Sequence, residues 1–210
     1  KTTIAANTVA QYDSTAAASA TATAGSIVAG GETDTFSSVE AFVGSDLADY
    51  FIANSSGGMT FEGGAGADTY ILGVGVDTLI FTASNGLDTV TGFEVGTDGD
   101  VLDVSYHVTG SAVAATLTNA TGGATLSDET VVVAVVAGAI ATKGYAGADF
   151  AEIFAAGAYI STTVGANDDD GIVIVKGTDV SHVYEVDASA TTLTAGMVTQ
   201  IAVLDTIGTW

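Results

Sequence analysis

The chain has 210 residues, 3 of them basic and 25 acidic, for a net charge of −22. Its only basic residues are Lys1, Lys143 and Lys176. A surface of that balance repels phosphate backbones and anionic lipid headgroups, which argues against nucleic-acid binding and against electrostatic docking on a membrane. Cysteine and proline are absent, so disulfides and thiolate chemistry are excluded, while an apolar content of 48% sets the chain apart from disordered acidic sequences.

The acids are 18 Asp and 7 Glu. Asp suits turns and short-reach metal ligation rather than helix interiors. Like charges on neighbouring turns oppose compaction unless cations neutralise them, so cations are the expected partners. No apolar run approaches the ~20 residues of a membrane-spanning helix, and no basic stretch followed by an apolar core opens the chain; membrane insertion is not expected. A first residue of Lys rather than Met is expected of a processed chain or a piece of a longer one.

Residues 1–38 are rich in Thr, Ala and Ser, with alternations such as Thr2-Thr3-Ile4-Ala5 and Gly25-Ser26-Ile27-Val28 that favour strands. Thr21-Ala22-Thr23 suggests a threonine-faced, ice-binding surface, but its spacing does not repeat. Over residues 39–105 the pattern changes to short apolar triplets separated by Gly and Asp: Tyr50-Phe51-Ile52, Tyr70-Ile71-Leu72, Leu79-Ile80-Phe81 and Val101-Leu102-Asp103. Such runs are too short for amphipathic helices and read as successive turns of a β-solenoid.

Residues 106–210 alternate again, as in Ala115-Thr116-Leu117-Thr118, and reach Thr130-Val131-Val132-Val133-Ala134-Val135-Val136, which reads as a strand buried on both faces. Phe150, Ile153 and Phe154 predict one short helix over 145–158. Gly171 to Val175 and Val183 to Val186 flank Lys176-Gly177-Thr178-Asp179 as a hairpin, and Met197 to Ile207 reads as a closing strand. The expected fold class is therefore all-β: a solenoid over 39–105, an N-terminal β segment over 1–38, and a β-rich region over 106–210 that caps the solenoid's open edge or folds as a separate domain.

The strongest chemical signal is Gly63-Gly64-Ala65-Gly66-Ala67-Asp68-Thr69-Tyr70-Ile71: two glycines, a spacer, Gly, a spacer, Asp, then a short strand with an apolar middle. Asp77 follows Asp68 by nine residues within Gly73-Val74-Gly75-Val76-Asp77-Thr78. Looser copies are Gly44 to Ile52, with Asp46 and Asp49, and Asn85-Gly86-Leu87-Asp88-Thr89-Val90. Glycines admit tight turns with inward carbonyls, each Asp adds a carboxylate, and stacked turns gather these oxygens around a hard cation. Folding and metal binding are then coupled.

These residues resemble the repeats-in-toxin (RTX) family, whose nonapeptides form a parallel β-roll binding Ca²⁺ between coils. The stretch Asp88 to Ser105 resembles the closing segment after RTX repeats, although Gly92 stands where an Asp is common and Gly99-Asp100 lengthens the turn. The resemblance covers about residues 44–105 and implies Ca²⁺ ligation by Asp49, Asp68, Asp77, Asp88, Asp98 and Asp100 with the backbone of Gly64, Gly66, Gly73 and Gly75. Asp46 and Asp103 are weaker candidates, Asp103 reading also as a strand cap. The excess of Ala, Thr, Gly and Val is similar to bacterial surface-layer (S-layer) proteins, which implies export by type I secretion with an uncleaved C-terminal signal.

Asn167-Asp168-Asp169-Asp170-Gly171 invites an EF-hand reading, but its ligand alternation is missing and no Glu falls at the required distance, so a solvated hairpin turn is expected; a weak cation site there, bridging neighbours in an array, is the alternative. His107 and His182 sit in strand-like runs outside any HExxH pattern, and neither a nucleophile elbow nor a P-loop is present. The chain is thus expected not to be an enzyme. Paired carboxylates leave glycoside hydrolysis open by residue type, but only one tryptophan, Trp210, is present to line a carbohydrate cleft. The expected function is a secreted, self-associating surface-layer, sheath or filament subunit. The alternatives are the C-terminal export and folding module of a larger RTX adhesin, toxin or hydrolase, and a calcium-dependent module binding surface glycan or lipopolysaccharide.

Overall fold

The computed structural model describes residues 2–3, 11–13, 24–29, 32–37, 41–53, 57–82, 85–96, 98–108, 116–119, 124–126, 130–135, 160–162, 169–176, 180–188 and 195–208. These are almost entirely strand and turn; their one helical piece is a 3-10 turn at Ala195–Met197. The all-β expectation is met at that level. The helix anticipated over 145–158, the Thr21-Ala22-Thr23 segment, and Asn167 and Asp168 lie outside the described residues.

The chain divides into two compact units, residues 1–104 with 204–210, and residues 105–203. In the first unit the strands are β1 (Thr2–Thr3), β2 (Gln11–Asp13), β3 (Ala24–Ala29), β4 (Glu32–Ser37), β5 (Ala41–Val43), β6 (Tyr50–Ile52), β7 (Thr60–Glu62), β8 (Thr69–Ile71), β9 (Thr78–Ile80), β10 (Asp88–Val95) and β11 (Val101–Asp103). From β5 onward, consecutive strands go to alternate sheets. One sheet has the order β1-β5-β7-β9-β11, and the other includes the run β10-β8-β6-β2-β3-β4. Pairing among β5 to β11 is parallel throughout.

Register explains the nine-residue spacing. Phe42 stands beside Phe61 and Phe61 beside Leu79 in one sheet, while Phe51 stands beside Tyr70 and Tyr70 beside Val90 in the other. Two repeats thus return the chain to the same sheet. In β5 to β9 only the middle residue of each triplet is fully buried, because successive side chains point to opposite faces. The triplets at 70–72 and 79–81 therefore begin one residue earlier than the apolar run suggests, as Thr69-Tyr70-Ile71 and Thr78-Leu79-Ile80. The buried positions form an aromatic stack: Phe42 on Phe61 at 6.0 Å, Phe51 on Phe61 at 5.3 Å and Phe51 on Tyr70 at 5.1 Å between ring centroids. Burying each such side chain contributes about 1.5–3 kcal/mol.

The second unit contains β12 (Thr116–Asn119), β13 (Ala124–Leu126), β14 (Thr130–Val135), β15 (Ile160–Thr162), β16 (Asp169–Lys176), β17 (Val180–Ala188) and the start of β18 (Val198–Gly208). Strands β12, β14 and β16 run parallel, and β16 and β17 form the expected antiparallel hairpin, with Lys176 opposite Ser181. Asp169 and Asp170 belong to β16 rather than to a turn. Residues 171–175 are buried without alternation, the pattern of a strand covered on both faces. His182 lies on β17 as its neighbours suggest, but His107 lies in a turn at 105–107 rather than in a strand.

Candidate metal centre

Each aspartate of the repeat sits at the point where the chain enters a sheet. Asp49 and Asp68 directly precede β6 and β8, and Asp88 opens β10; Met59, Asp77 and Asp100 directly precede β7, β9 and β11. Two rows result. Asp49, Asp68, Asp77 and Asp88 are each at most 2% exposed.

Hydrogen bonds explain the burial. Asp68 Oδ1 accepts the N–H of Asp49, 19 residues earlier, at 2.8 Å, and Asp88 Oδ1 accepts that of Asp68 at 2.9 Å. In the second row Asp77 Oδ1 accepts the N–H of Met59 at 2.7 Å, and Asp100 Oδ1 that of Asp77 at 2.8 Å. The backbone ladder continues one residue beyond, with Thr69 N–H on the Asp49 carbonyl and Thr89 N–H on that of Asp68. Carboxylate oxygens thus carry strand pairing into the turns, satisfying N–H groups that would otherwise be buried unpaired.

The second oxygens stay within their own turns. Asp49 Oδ2 accepts Ser45 N–H at 2.5 Å, Asp77 Oδ2 approaches Gly73 N–H at 3.4 Å, Asp88 Oδ2 accepts Asn85 Nδ2–H at 2.9 Å and Asp100 Oδ2 accepts Glu94 N–H at 2.7 Å. Asp68 Oδ2 is the exception, buried with no hydrogen-bond partner. Tyr70 Oη is likewise buried and makes no hydrogen bond of good geometry, the backbone N–H of Gly63 being its nearest donor. Both face Gly63, where an added Cβ would collide with the two oxygens.

At several glycines the turns leave no room for a side chain. Gly64 and Gly66 have φ of +96° and +119°, and Gly75 has +115°, conformations that side chains resist. A Cβ on Gly64 would meet the Ser45 carbonyl, and one on Gly66 the Leu47 carbonyl carbon. Of the other sequence candidates, Asp98 and Asp46 are exposed outside both rows, and Asp103 is half-buried on β11.

Desolvation raises the pKa of Asp68 to about 7, with the Asp49 charge adding to it. Burial lifts Asp77 to about 6, supported by Asp100 and Glu94, and Asp88 to about 8, supported by Asp68. Asp100 is raised by the same cause, and burial with the charges of Asp88 and Asp68 holds the Tyr70 phenol well above its ordinary value. No basic residue occurs between 41 and 104 to compensate. A desolvated carboxylate row of this kind takes up protons or cations.

Among the described residues no three His, Cys, Asp or Glu side chains converge on one point. Any cation here would be held by one or two carboxylates together with turn backbone and hydroxyl oxygens. The implied Ca²⁺ fits that donor set: every available donor is oxygen, Asp68 Oδ2 lacks a partner, and neither Cys nor His lies in the rows. Sequence reasoning overlooked Met59 and Tyr70. Gly57-Gly58-Met59-Thr60-Phe61 keeps the nine-residue phase ahead of Asp68, but Met at the acid position hides the repeat.

In the second unit, His107 Nδ1 pairs with Glu185 Oε1 at 2.8 Å, and this hydrogen bond is the main cause lowering the Glu185 pKa. Gln200 Nε2–H points to His182 Nδ1 at 2.8 Å. The chain matches no family model and no curated protein at a significant level.

Proposed function

We propose that the chain is an extracellular structural protein whose first unit is an RTX-type parallel β-roll held together by Ca²⁺, and that it self-assembles as a subunit of a surface layer, sheath or filament. The observation that carries this reading is the pair of buried aspartate rows, linked turn to turn through backbone N–H groups. Cations entering these rows neutralise charge that protons otherwise neutralise, so the metal rigidifies the solenoid. Asp49, Asp68 and Asp88 would hold cations along one row and Asp77 and Asp100 along the other, one or two carboxylates to each ion, with the backbone of Gly64, Gly66, Gly73 and Gly75 lining the turns.

Self-association is supported by what the turns expose. Leu47 and Leu87 on one turn edge, and Val74 and Val76 on the other, stand in solvent at 38–62% exposure beside carboxylates. A chain nearly devoid of Lys and Arg lacks the usual interfacial ion pairs, so apolar turns and cations bridging acidic surfaces are its means of association. Type I export and a cell-surface location belong to the same proposal.

Electron microscopy of the purified chain in millimolar Ca²⁺, repeated after excess EGTA, tests it. Sheets, tubes or filaments that disappear on chelation are the expected result. Dispersed monomers in both conditions would overturn the lattice and favour an export and folding module of a larger protein.

A further inference from the structure

The interior of the first unit is filled at equivalent strand positions by Phe42, Phe51, Phe61, Leu79, Val90 and Tyr70, and of these only Tyr70 carries a polar atom. Phenylalanine already serves for packing at its neighbour Phe51, on which the Tyr70 ring stacks at 5.1 Å with 9° between planes. The hydroxyl is therefore not required by the stack, and burying it unpaired costs free energy. It lies beside Asp68 Oδ2 and against the backbone of Gly63, whose N–H approaches it without reaching hydrogen-bonding geometry, so its lone pairs are not fully used. Every other row aspartate directs its second oxygen to a group in its own turn or hairpin; that of Asp68 alone is left over, facing the one buried phenol without a hydrogen bond among the described residues.

We propose that Tyr70 Oη and Asp68 Oδ2 are joint ligands of one hard divalent cation of the Ca²⁺ class, the neutral phenol oxygen completing the site across Gly63. The inference rests on the calcium reading above and adds to it a side chain outside the glycine–aspartate pattern. Two buried, orphaned oxygens converging on one glycine are satisfied together by a single oxygen-seeking ion. Gly63 is then required because any side chain there would occupy the space both oxygens face.

The test uses Tb³⁺ as a luminescent stand-in, alongside Ca²⁺ calorimetry, on the full chain and on Tyr70→Phe, with Tyr50→Phe as the counterpart. The wild type should sensitise Tb³⁺ through the tyrosine absorption band. Tyr70→Phe should lose most of that emission, bind Ca²⁺ at one site roughly tenfold more weakly, and gain about one coordinated water in lifetimes compared between H2O and D2O; Tyr50→Phe should keep the wild-type hydration. Unchanged affinity and hydration in Tyr70→Phe would overturn the proposal and leave the calcium reading standing, the phenol then being only a neighbour of Asp68. A wild type that binds neither ion would sink both. Should Tyr70→Phe not fold, Asp68→Asn carries the test, and tyrosine-sensitised emission that survives it overturns the proposal.

Discussion

Met59 shows how much one side chain decides. It occupies the acid position before β7, is 1% exposed, and still donates its N–H to Asp77 Oδ1, so the backbone follows the repeat while the carboxylate is missing. Among the described residues the second row therefore has two acids where the first has three. Met59→Asp should lower the melting temperature in EGTA, because an added buried carboxylate without a partner costs about 1–3 kcal/mol. In Ca²⁺ the same variant should recover that loss and bind additional metal, measured by calorimetry and by thermal unfolding in both conditions. A variant equally destabilised with and without Ca²⁺ would show that the second row does not take cations.

At the scale of turns and strands, glycine and aspartate do different jobs. Gly86 has φ of +75°, and a Cβ there would strike the Gly66 carbonyl, whereas a Cβ on Gly57 meets nothing within 4 Å. Gly86→Ala should cost more than about 2 kcal/mol through strain and collision, while Gly57→Ala should be neutral or stabilise by up to about 1 kcal/mol by restricting the unfolded chain. Denaturant unfolding in saturating Ca²⁺ compares the two. Much of this was legible in the sequence: the glycine pattern around Asp68, its echo at Asp77 and the β16–β17 hairpin are local signals of turn chemistry and alternation. The turn before β7 was not legible, since its motif residue is Met59. The strand frame at Tyr70 and Leu79 was displaced by one residue, because a run of apolar letters does not reveal which of them faces inward. Nor does a Tyr in a core position announce an unpaired hydroxyl, which depends on how the turn at Gly63 and Asp68 folds back over the ring.

For the whole molecule, the aspartate rows couple stability to pH in opposite senses with and without metal. In the metal-free fold Asp77, Asp68 and Asp88 titrate at about 6, 7 and 8, against an ordinary value of 3.8. Between these limits the folded chain holds more protons than the unfolded one, so its stability is fully present below the unfolded value and is lost as pH rises through 6 to 8. The net charge of −22 acts in the same direction, since self-repulsion grows as the last carboxylates ionise. Cations compete with those protons, so Ca²⁺ affinity should increase over the same interval with release of protons on binding. Thermal unfolding from about pH 5 to about pH 8 should show the melting temperature falling in EGTA and the increment due to Ca²⁺ widening. Asp88→Asn, which removes the carboxylate with the most raised pKa, should flatten the metal-free dependence. A metal-free protein whose stability rises with pH across this interval would mean that the buried carboxylates find their compensation within the chain, and the case for a structural cation would fail with them.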